Sequence, residues 1–221
     1  MLLAIDTATL QAGIALYDGN EVRAELLWQA GRHHTEMMAP AIRELLLRAR
    51  CRAADLTAVA VSLGPGSFTG LRIGLALAKG LAAANALGLV GIPTLDATAY
   101  PFLMATSPVC ALLQMGRGRV AFSLYPPDTR ESHGVRTGAL ADAMAGVQVP
   151  TLFAGELLPD QRAALQAELG SLGLLPPPAL ALRRPGYVAE LAWQRLARGE
   201  SDDLHTLGPL YAESSPAGRP T

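Results

Sequence analysis

Two short segments of this 221-residue sequence carry residues suited to holding a nucleotide phosphate. In Asp6-Thr7-Ala8-Thr9, a carboxylate and two hydroxyls follow an apolar stretch and could bind a phosphate or its Mg²⁺. In Gly64-x-Gly66-x-x-x-Gly70, glycines allow close backbone approach, and the helix that follows would offer unpaired N–H groups. The candidate nucleotide-binding residues are Asp6, Thr7, Thr9, Gly64 and Gly66.

Each segment also has a purely structural interpretation. An Asp and two Thr at a strand end can satisfy the backbone of the turn that follows them. The glycine turn lacks the Lys-Ser/Thr ending of a P-loop, and its spacing differs from the dinucleotide fingerprint. Its glycines could instead serve tight turning and helix contact, and we favour the structural interpretation of both segments.

The sequence contains no recognisable metal site or nucleophile–base pair. Adjacent histidines in His33-His34-Thr35-Glu36 do not supply ligands at i and i+4, and Met38 follows His34 by four residues. Ser67 has no His nearby in sequence, and the G-x-S-x-G elbow is absent. Cys51 stands between two arginines that could activate its thiol, although a helix-end cysteine is the simpler interpretation.

The composition excludes several classes of protein. Half of the residues are apolar and 17% are charged, which excludes a disordered chain. The net charge of −1 gives no electrostatic footprint for nucleic acid. Cys51 and Cys110 form no disulfide framework, and no secretory signal is evident, so we expect a cytoplasmic protein. The most apolar stretch, Ile73 to Ile92, contains Lys79, so no membrane span is expected.

The hydrophobic pattern predicts strands and helices in the order βββαβαβα, an α/β domain with a mixed sheet and helices on its faces. In the third strand, Glu25 is expected to point outward. The predicted elements of this first part are strands at 2–5, 12–17, 22–28, 58–63 and 89–92, and helices at 35–50, 67–86 and 94–103. Ser67 or Thr69 is placed to cap the helix that follows the glycine turn.

The second part of the chain echoes the first in shortened form, although the sequence by itself does not show a repeat. We expect domain 1–105, a smaller domain 106–208 after Thr106-Ser107-Pro108, and a tail 209–221. The predicted elements are strands at 109–114, 119–125 and 151–154, and helices at 139–145, 159–169 and 186–198.

The helix after the glycine turn has more apolar surface than one sheet can cover. Small residues recur every four positions, at Gly66, Gly70, Gly74, Ala78 and Ala82. Such a stripe lets another backbone approach closely, and apolar side chains flank it on both sides. Together with the absence of a catalytic set, this pattern favours an interaction or scaffold subunit over a free-standing enzyme.

Several motifs resemble those of the TsaB (YeaZ) family, a subunit of the bacterial complex that forms threonylcarbamoyladenosine in tRNA. The resemblance is strong over residues 1–98 and thin afterwards, where the family's Asp-Ala-Arg-like hairpin start is replaced by Gln114-Met115-Gly116. The matching motifs are Ala4-Ile5-Asp6-Thr7, His34-Thr35-Glu36 with Pro40, and Gly64-Pro65-Gly66-Ser67-Phe68-Thr69-Gly70-Leu71-Arg72-Ile73-Gly74.

The resemblance implies an actin/Hsp70-like (ASKHA) fold of two lobes, the second degenerate. It implies a non-catalytic partner of TsaD, which transfers the threonylcarbamoyl group to the adenosine beside the anticodon, with the ATPase TsaE binding that pair. ATP or ADP and iron or zinc are expected on the partner subunits and no cofactor on this chain, with tRNA bound only through the complex.

The resemblance also places the contact between subunits on the first two helices. The interface residues expected there are Met38, Ile42, Leu45, Gly66, Phe68, Gly70, Arg72, Ile73, Gly74, Leu77 and Ala78. A Gly74→Leu substitution is then expected to weaken assembly. Two alternatives stay open: an ATP-binding phosphotransferase or ATPase of the same fold, and a homodimer that buries the same helices when the chain is alone.

Overall fold

The computed structural model describes residues 1–31 and 34–211. The chain divides into two compact units, one made of residues 1–97 and 183–210, the other of residues 98–182 with Tyr211. Among the described helices, none is both long and apolar enough to cross a lipid bilayer. Most of the predicted tail, residues 212–221, lies outside the described part of the chain.

The first unit is built on a five-stranded mixed sheet with the strand order β3-β2-β1-β4-β5. Strands β1 and β2 pair antiparallel, whereas β1–β4 and β4–β5 pair parallel. The elements are β1 (Leu2–Asp6), β2 (Gln11–Tyr17), β3 (Val22–Gln29), α1 (His34–Arg48), β4 (Ala58–Gly64), α2 (Phe68–Asn85), β5 (Gly88–Pro93), α3 (Thr94–Ala99) and α6 (Pro185–Ala197). Because β1, β2 and β4 are buried throughout, they have near-continuous apolar sequences.

Alternate side chains of the central strands enter two different hydrophobic cores. On one face, Leu3, Ile5 and Val59 pack in the core that includes residues of α1 and α2. On the other face, Leu2 and Ala4 pack in the core that includes residues of α6. The sheet is therefore covered on both sides.

The return of α6 corrects the predicted domain boundaries. Residues 183–208 were expected in the second domain but belong to the first unit, and the boundary falls after residue 97 rather than 105. Glu25, which was expected to point outward, accepts hydrogen bonds from the Arg184 guanidinium and the Gly186 N–H. The second face of the sheet is apolar, and α6 buries it.

The second unit repeats the connectivity of the first. Its strand order, β10-β9-β6-β7-β8, has the first strand in the centre, two antiparallel strands on one side and two parallel strands on the other. The elements are β6 (Val109–Gly116), β7 (Arg119–Tyr125), β8 (Arg136–Gly138), α4 (Leu140–Met144), β9 (Thr151–Gly155), α5 (Pro159–Leu169) and β10 (Gly173–Leu174). The shortened second lobe expected from the family resemblance is confirmed, with α4 five residues long where α1 has 15.

Most predicted elements are confirmed within three residues at each end. Strands β8 and β10 were missed because three and two residues are too short to show alternation. The helix predicted over 94–103 ends as α3 and continues as a 3-10 turn, Tyr100–Phe102, around Pro101, which has no N–H to donate.

Candidate functional site

The glycine turn after β4 is fixed by its own chain. Ser67 is the N-cap of α2, and its hydroxyl accepts the Gly70 N–H at 3.2 Å, as one of the two predicted caps. The Ser67 N–H donates to the Ala8 carbonyl at 2.6 Å, and the Gly64 N–H donates to the Thr94 hydroxyl at 3.0 Å. The N–H groups of Gly64, Ser67 and Gly70 therefore already have partners within the protein.

The stripe of small residues on α2 packs against the loop between β1 and β2. A Cβ atom added to Gly66 would lie within 3.0 Å of the Ala8 carbonyl oxygen. A Cβ atom added to Gly70 would lie equally close to the carbonyl oxygen of Thr7, and one added to Gly74 would lie equally close to the Thr7 hydroxyl. The close approach predicted from sequence therefore exists, but it is a contact within the chain.

This packing corrects part of the predicted interface. Six of the eleven expected residues are buried within the first unit: Met38, Ile42, Leu45, Gly70, Gly74 and Ala78. Gly66, Ile73 and Leu77 are half-buried. Phe68 is 54% exposed, and the exposed Arg72 places its guanidinium 3.8 Å from the centre of the Phe68 ring.

An apolar groove runs between α1 and α2. It has a volume of about 310 Å³, and Leu47 at its edge is 68% exposed. Its lining residues, which define the α1–α2 groove, are Ala39, Ile42, Arg43, Leu46, Leu47, Cys51, Ala53, Leu77 and Leu81. Sequence reasoning missed Leu47, although Leu45-Leu46-Leu47 contained the signal, because three consecutive leucines cannot all face one side of a helix.

The Cys51 thiol in this groove is not activated. Burial raises its pKa, and the Asp55 carboxylate acts in the same direction against the smaller effect of Arg52. The hydrogen bond from Arg52 instead lowers the pKa of Asp55 to about 2. Cys51 therefore stays a thiol at neutral pH, so it contributes apolar surface to the groove rather than a nucleophile.

The candidate nucleotide-binding carboxylate is occupied by an arginine that sequence reasoning missed. Asp6 accepts a hydrogen bond from Arg183 Nε at 2.6 Å, and both side chains are almost fully buried. Its other oxygen accepts the Ala8 N–H at 3.0 Å. The Arg183 Nη2 also donates to the Thr9 hydroxyl at 3.2 Å. The charge of Asp6 is therefore balanced within the protein.

The other predicted phosphate-binding residues are also engaged. The buried Thr7 hydroxyl donates to the Gly70 carbonyl at 2.8 Å. Gly64, at φ +117°, would place a Cβ atom within 3.0 Å of the Leu210 carbonyl oxygen, and the Leu210 N–H donates to Leu63 at 2.8 Å. The segment around Leu210 therefore lies directly on the turn where a phosphate was considered.

The described residues contain no cluster of three or more His, Cys, Asp or Glu side chains that could hold a metal ion. His33 lies outside the described residues, so the sequence argument about the adjacent histidines is not tested there.

A family model and several curated relatives match this chain. The model "TsaD: tRNA N6-adenosine threonylcarbamoyltransferase" matches residues 28–148, more than half of the sequence. The tRNA threonylcarbamoyladenosine biosynthesis protein TsaB of Escherichia coli K12 is 32% identical over 145 residues, covering 65% of this chain and 61% of that protein. TsaB of Bacillus subtilis is 28% identical over 216 residues, covering 95% of this chain and 93% of that protein.

A solved structure has the same fold. YeaZ from Pseudomonas aeruginosa superposes with a TM-score of 0.75 at 24% identity, covering 95% of this chain and 98% of that one. This similarity and the two sheets of equal connectivity confirm the predicted α/β actin/Hsp70-like (ASKHA) fold. The chain therefore belongs to the TsaD family of this model, and within that family to the TsaB (YeaZ) proteins.

Proposed function

We propose that this chain acts in the biosynthesis of threonylcarbamoyladenosine in tRNA, as a non-catalytic subunit that binds a TsaD-type transferase. The names of the TsaB relatives and of the family model support a role in this pathway. The partner would carry the metal and the nucleotide, the ATPase TsaE would bind the pair, and tRNA would be held through the complex.

The observation that carries the proposal is the α1–α2 groove. Ile73, Leu77 and Leu81 recur at four-residue spacing on α2 and are half-buried, so they keep apolar surface accessible. Leu47 on α1 adds a large apolar side chain that is 68% exposed. Complete burial of one leucine contributes about 1.5–3 kcal/mol, so a partner helix seated here would be held by the hydrophobic effect.

The edge of the groove fits the anatomy of a protein–protein interface. Arg43 is exposed beside the apolar lining, and Arg48 forms a surface ion pair with Glu44 at 2.6 Å. An apolar centre with a charged, solvated rim is the usual arrangement of such surfaces. We propose that the same groove closes on a second copy of the chain when the transferase is absent.

The non-catalytic part of the proposal is supported by the Asp6–Arg183 pair. A carboxylate that coordinates Mg²⁺ or acts as a base must be able to reach its ligand or substrate. Asp6 is instead covered and bonded to a guanidinium of its own chain. In this proposal the pair organises the first unit, and chemistry belongs to the partner.

A charge placed in the groove tests the proposal. We expect Leu47→Asp to weaken binding of a TsaD-type partner by at least about tenfold, because an ionised side chain would have to be buried on assembly. Size-exclusion chromatography and titration calorimetry would measure the binding, and threonylcarbamoyl transfer to tRNA in a reconstituted mixture would measure the consequence.

The matched control is Leu180→Asp, which puts the same charge at another leucine, 59% exposed and in the second unit. It should leave binding and transfer unchanged. Equal affinity of the Leu47→Asp variant and the wild type would remove the groove from the interface. Transfer at full rate without this chain would contradict the proposed function itself.

A further inference from the structure

The second unit contains a pocket of about 240 Å³ above β6, β7 and β8. Its origin lies in the repeated topology. In the first unit, the 15-residue α1 covers the equivalent strands, whereas the equivalent α4 has only five residues. The short helix leaves part of the sheet face open, and the segment from Ala145 to Val149 borders the opening.

The inner wall of the pocket is apolar and uncharged. Cys110 on β6 and Phe122 on β7 are buried in the core of the second unit and line the pocket. Burial raises the pKa of the Cys110 thiol to about 12, so it carries no charge at neutral pH. At the mouth, Leu124 and Val149 are exposed apolar residues. The pocket therefore favours a ligand with an apolar portion.

One cation of the lining has no anionic partner. Arg136 on β8 lies opposite Phe122 in the strand pairing, and its guanidinium lies 5.0 Å from the centre of the Phe122 ring. Arg136 is exposed, and within residues 1–31 and 34–211 the structure shows no ion pair of its guanidinium. Its five N–H donors stand beside an apolar cavity.

The other polar groups of the lining have identified roles. Asp142 accepts the Ala139 N–H at 2.7 Å with Oδ2, so one of its oxygens is committed to the first turn of α4. His133 lies at the exposed rim, where its backbone N–H donates to the Leu124 carbonyl at 2.9 Å. The lining therefore contains two full charges: the Asp142 carboxylate, with one oxygen bonded to a backbone N–H, and the exposed guanidinium of Arg136.

We propose that this pocket binds a small organic carboxylate with an apolar body. The guanidinium of Arg136 would take the carboxylate in a two-point hydrogen bond, a geometry that arginine provides and lysine does not. The apolar body would lie against Phe122 and Leu124. A pocket of this size admits a small molecule and is lined as such sites usually are, by apolar walls with a few placed polar groups.

The test uses the full chain and a set of simple probes of one shape: phenylacetate, the neutral phenylacetamide and the cationic phenethylamine. Saturation-transfer NMR and calorimetry would measure the dissociation constants. We expect saturable binding of phenylacetate, roughly tenfold to hundredfold weaker binding of the amide, and no binding of the amine, because a hydrogen bond between charged groups would be lost.

Arg136→Gln should reduce phenylacetate affinity by the same factor. Arg117→Gln is the matched control, since Arg117 lies at the exposed turn between β6 and β7, outside the pocket lining. Val149→Trp, at an exposed position of the mouth, should block the pocket without disturbing the core. Binding that is equal in Arg136→Gln, that favours the amine, or that is absent for phenylacetate at millimolar concentration overturns the proposal.

Discussion

Arg183 and Asp6 lie 177 positions apart in sequence and meet at 2.6 Å in the interior of the first unit. From sequence, Asp6 could be placed at a strand end with hydroxyls nearby, and a ligand or a turn could equally explain it. Nothing in the local pattern identified Arg183, because the residue that neutralises a buried charge can come from anywhere in the chain. Ser67 is one of the two residues predicted to cap α2, and it could be identified because a cap depends only on neighbours in sequence.

We expect Arg183→Met to lower the free energy of unfolding by about 3–5 kcal/mol, because it leaves the Asp6 carboxylate buried and unpaired. Adding Asp6→Asn in the double variant should recover part of that loss, since the uncompensated charge is then gone. Urea denaturation followed by circular dichroism would measure both variants.

The control for this pair is Arg184→Gln, one residue further along. Arg184 is half exposed and pairs with Glu25 at the surface, so its loss should cost at most about 1 kcal/mol. A double variant less stable than Arg183→Met would contradict the assignment of the cost to an unpaired charge.

At the scale of elements, α2 shows what a periodic pattern can and cannot predict. The four-residue spacing of small residues predicted a close backbone approach, and that approach exists. The pattern did not identify the β1–β2 loop as the neighbour, because a small-residue stripe looks the same whether that loop or another subunit packs on it. The accessible apolar surface of the groove includes Leu47 and Leu81. It depends on how α1 and α2 pack on the sheet, and the sequence pattern of a single helix does not contain that information.

Two glycines of α2 give a test within one helix. At Gly74 a methyl group would collide with the Thr7 hydroxyl, which is held by its hydrogen bond to Gly70. We therefore expect Gly74→Ala to destabilise the isolated chain by about 1–3 kcal/mol, as overpacking does. At Gly80 a methyl group meets nothing within 4 Å, so Gly80→Ala should stabilise the chain by about 0.5–1 kcal/mol through helix propensity.

Thermal unfolding at two protein concentrations would measure both variants. A loss of stability in Gly74→Ala that does not change with concentration identifies a contact within the chain. The same experiment revises the expectation for Gly74→Leu, whose effect on assembly would follow from a disturbed first unit. A Gly74→Ala variant as stable as wild type would contradict the packing described for Thr7.

For the whole molecule, hydrophobic periodicity predicted the α/β fold class because it is a local property, whereas the degenerate second lobe was implied by the family resemblance. The sequence pattern placed residues 183–208 wrongly, because the apolar stripe of α6 could have covered either sheet. Two features determine that α6 packs on the first sheet. One is the apolar face of β1 and β2 that α6 covers, and the other is the pair of side chains, Arg183 and Arg184, that bind Asp6 and Glu25. Those are long-range contacts that no local window contains.

The same contacts argue against the ATP-binding alternative considered from sequence. Asp6, Thr7 and Thr9 all have partners inside the chain, so a phosphate or Mg²⁺ could reach them only by breaking a buried ion pair. We therefore expect no saturable heat when Mg-ATP is titrated into the isolated chain at millimolar concentration. Asp6→Asn and the exposed-loop variant Asp128→Asn should likewise give no saturable heat with Mg-ATP. The contrary outcome is saturable binding that Asp6→Asn abolishes and Asp128→Asn retains. It would mean that the nucleotide displaces Arg183 from Asp6, and the phosphotransferase interpretation would then replace the scaffold interpretation.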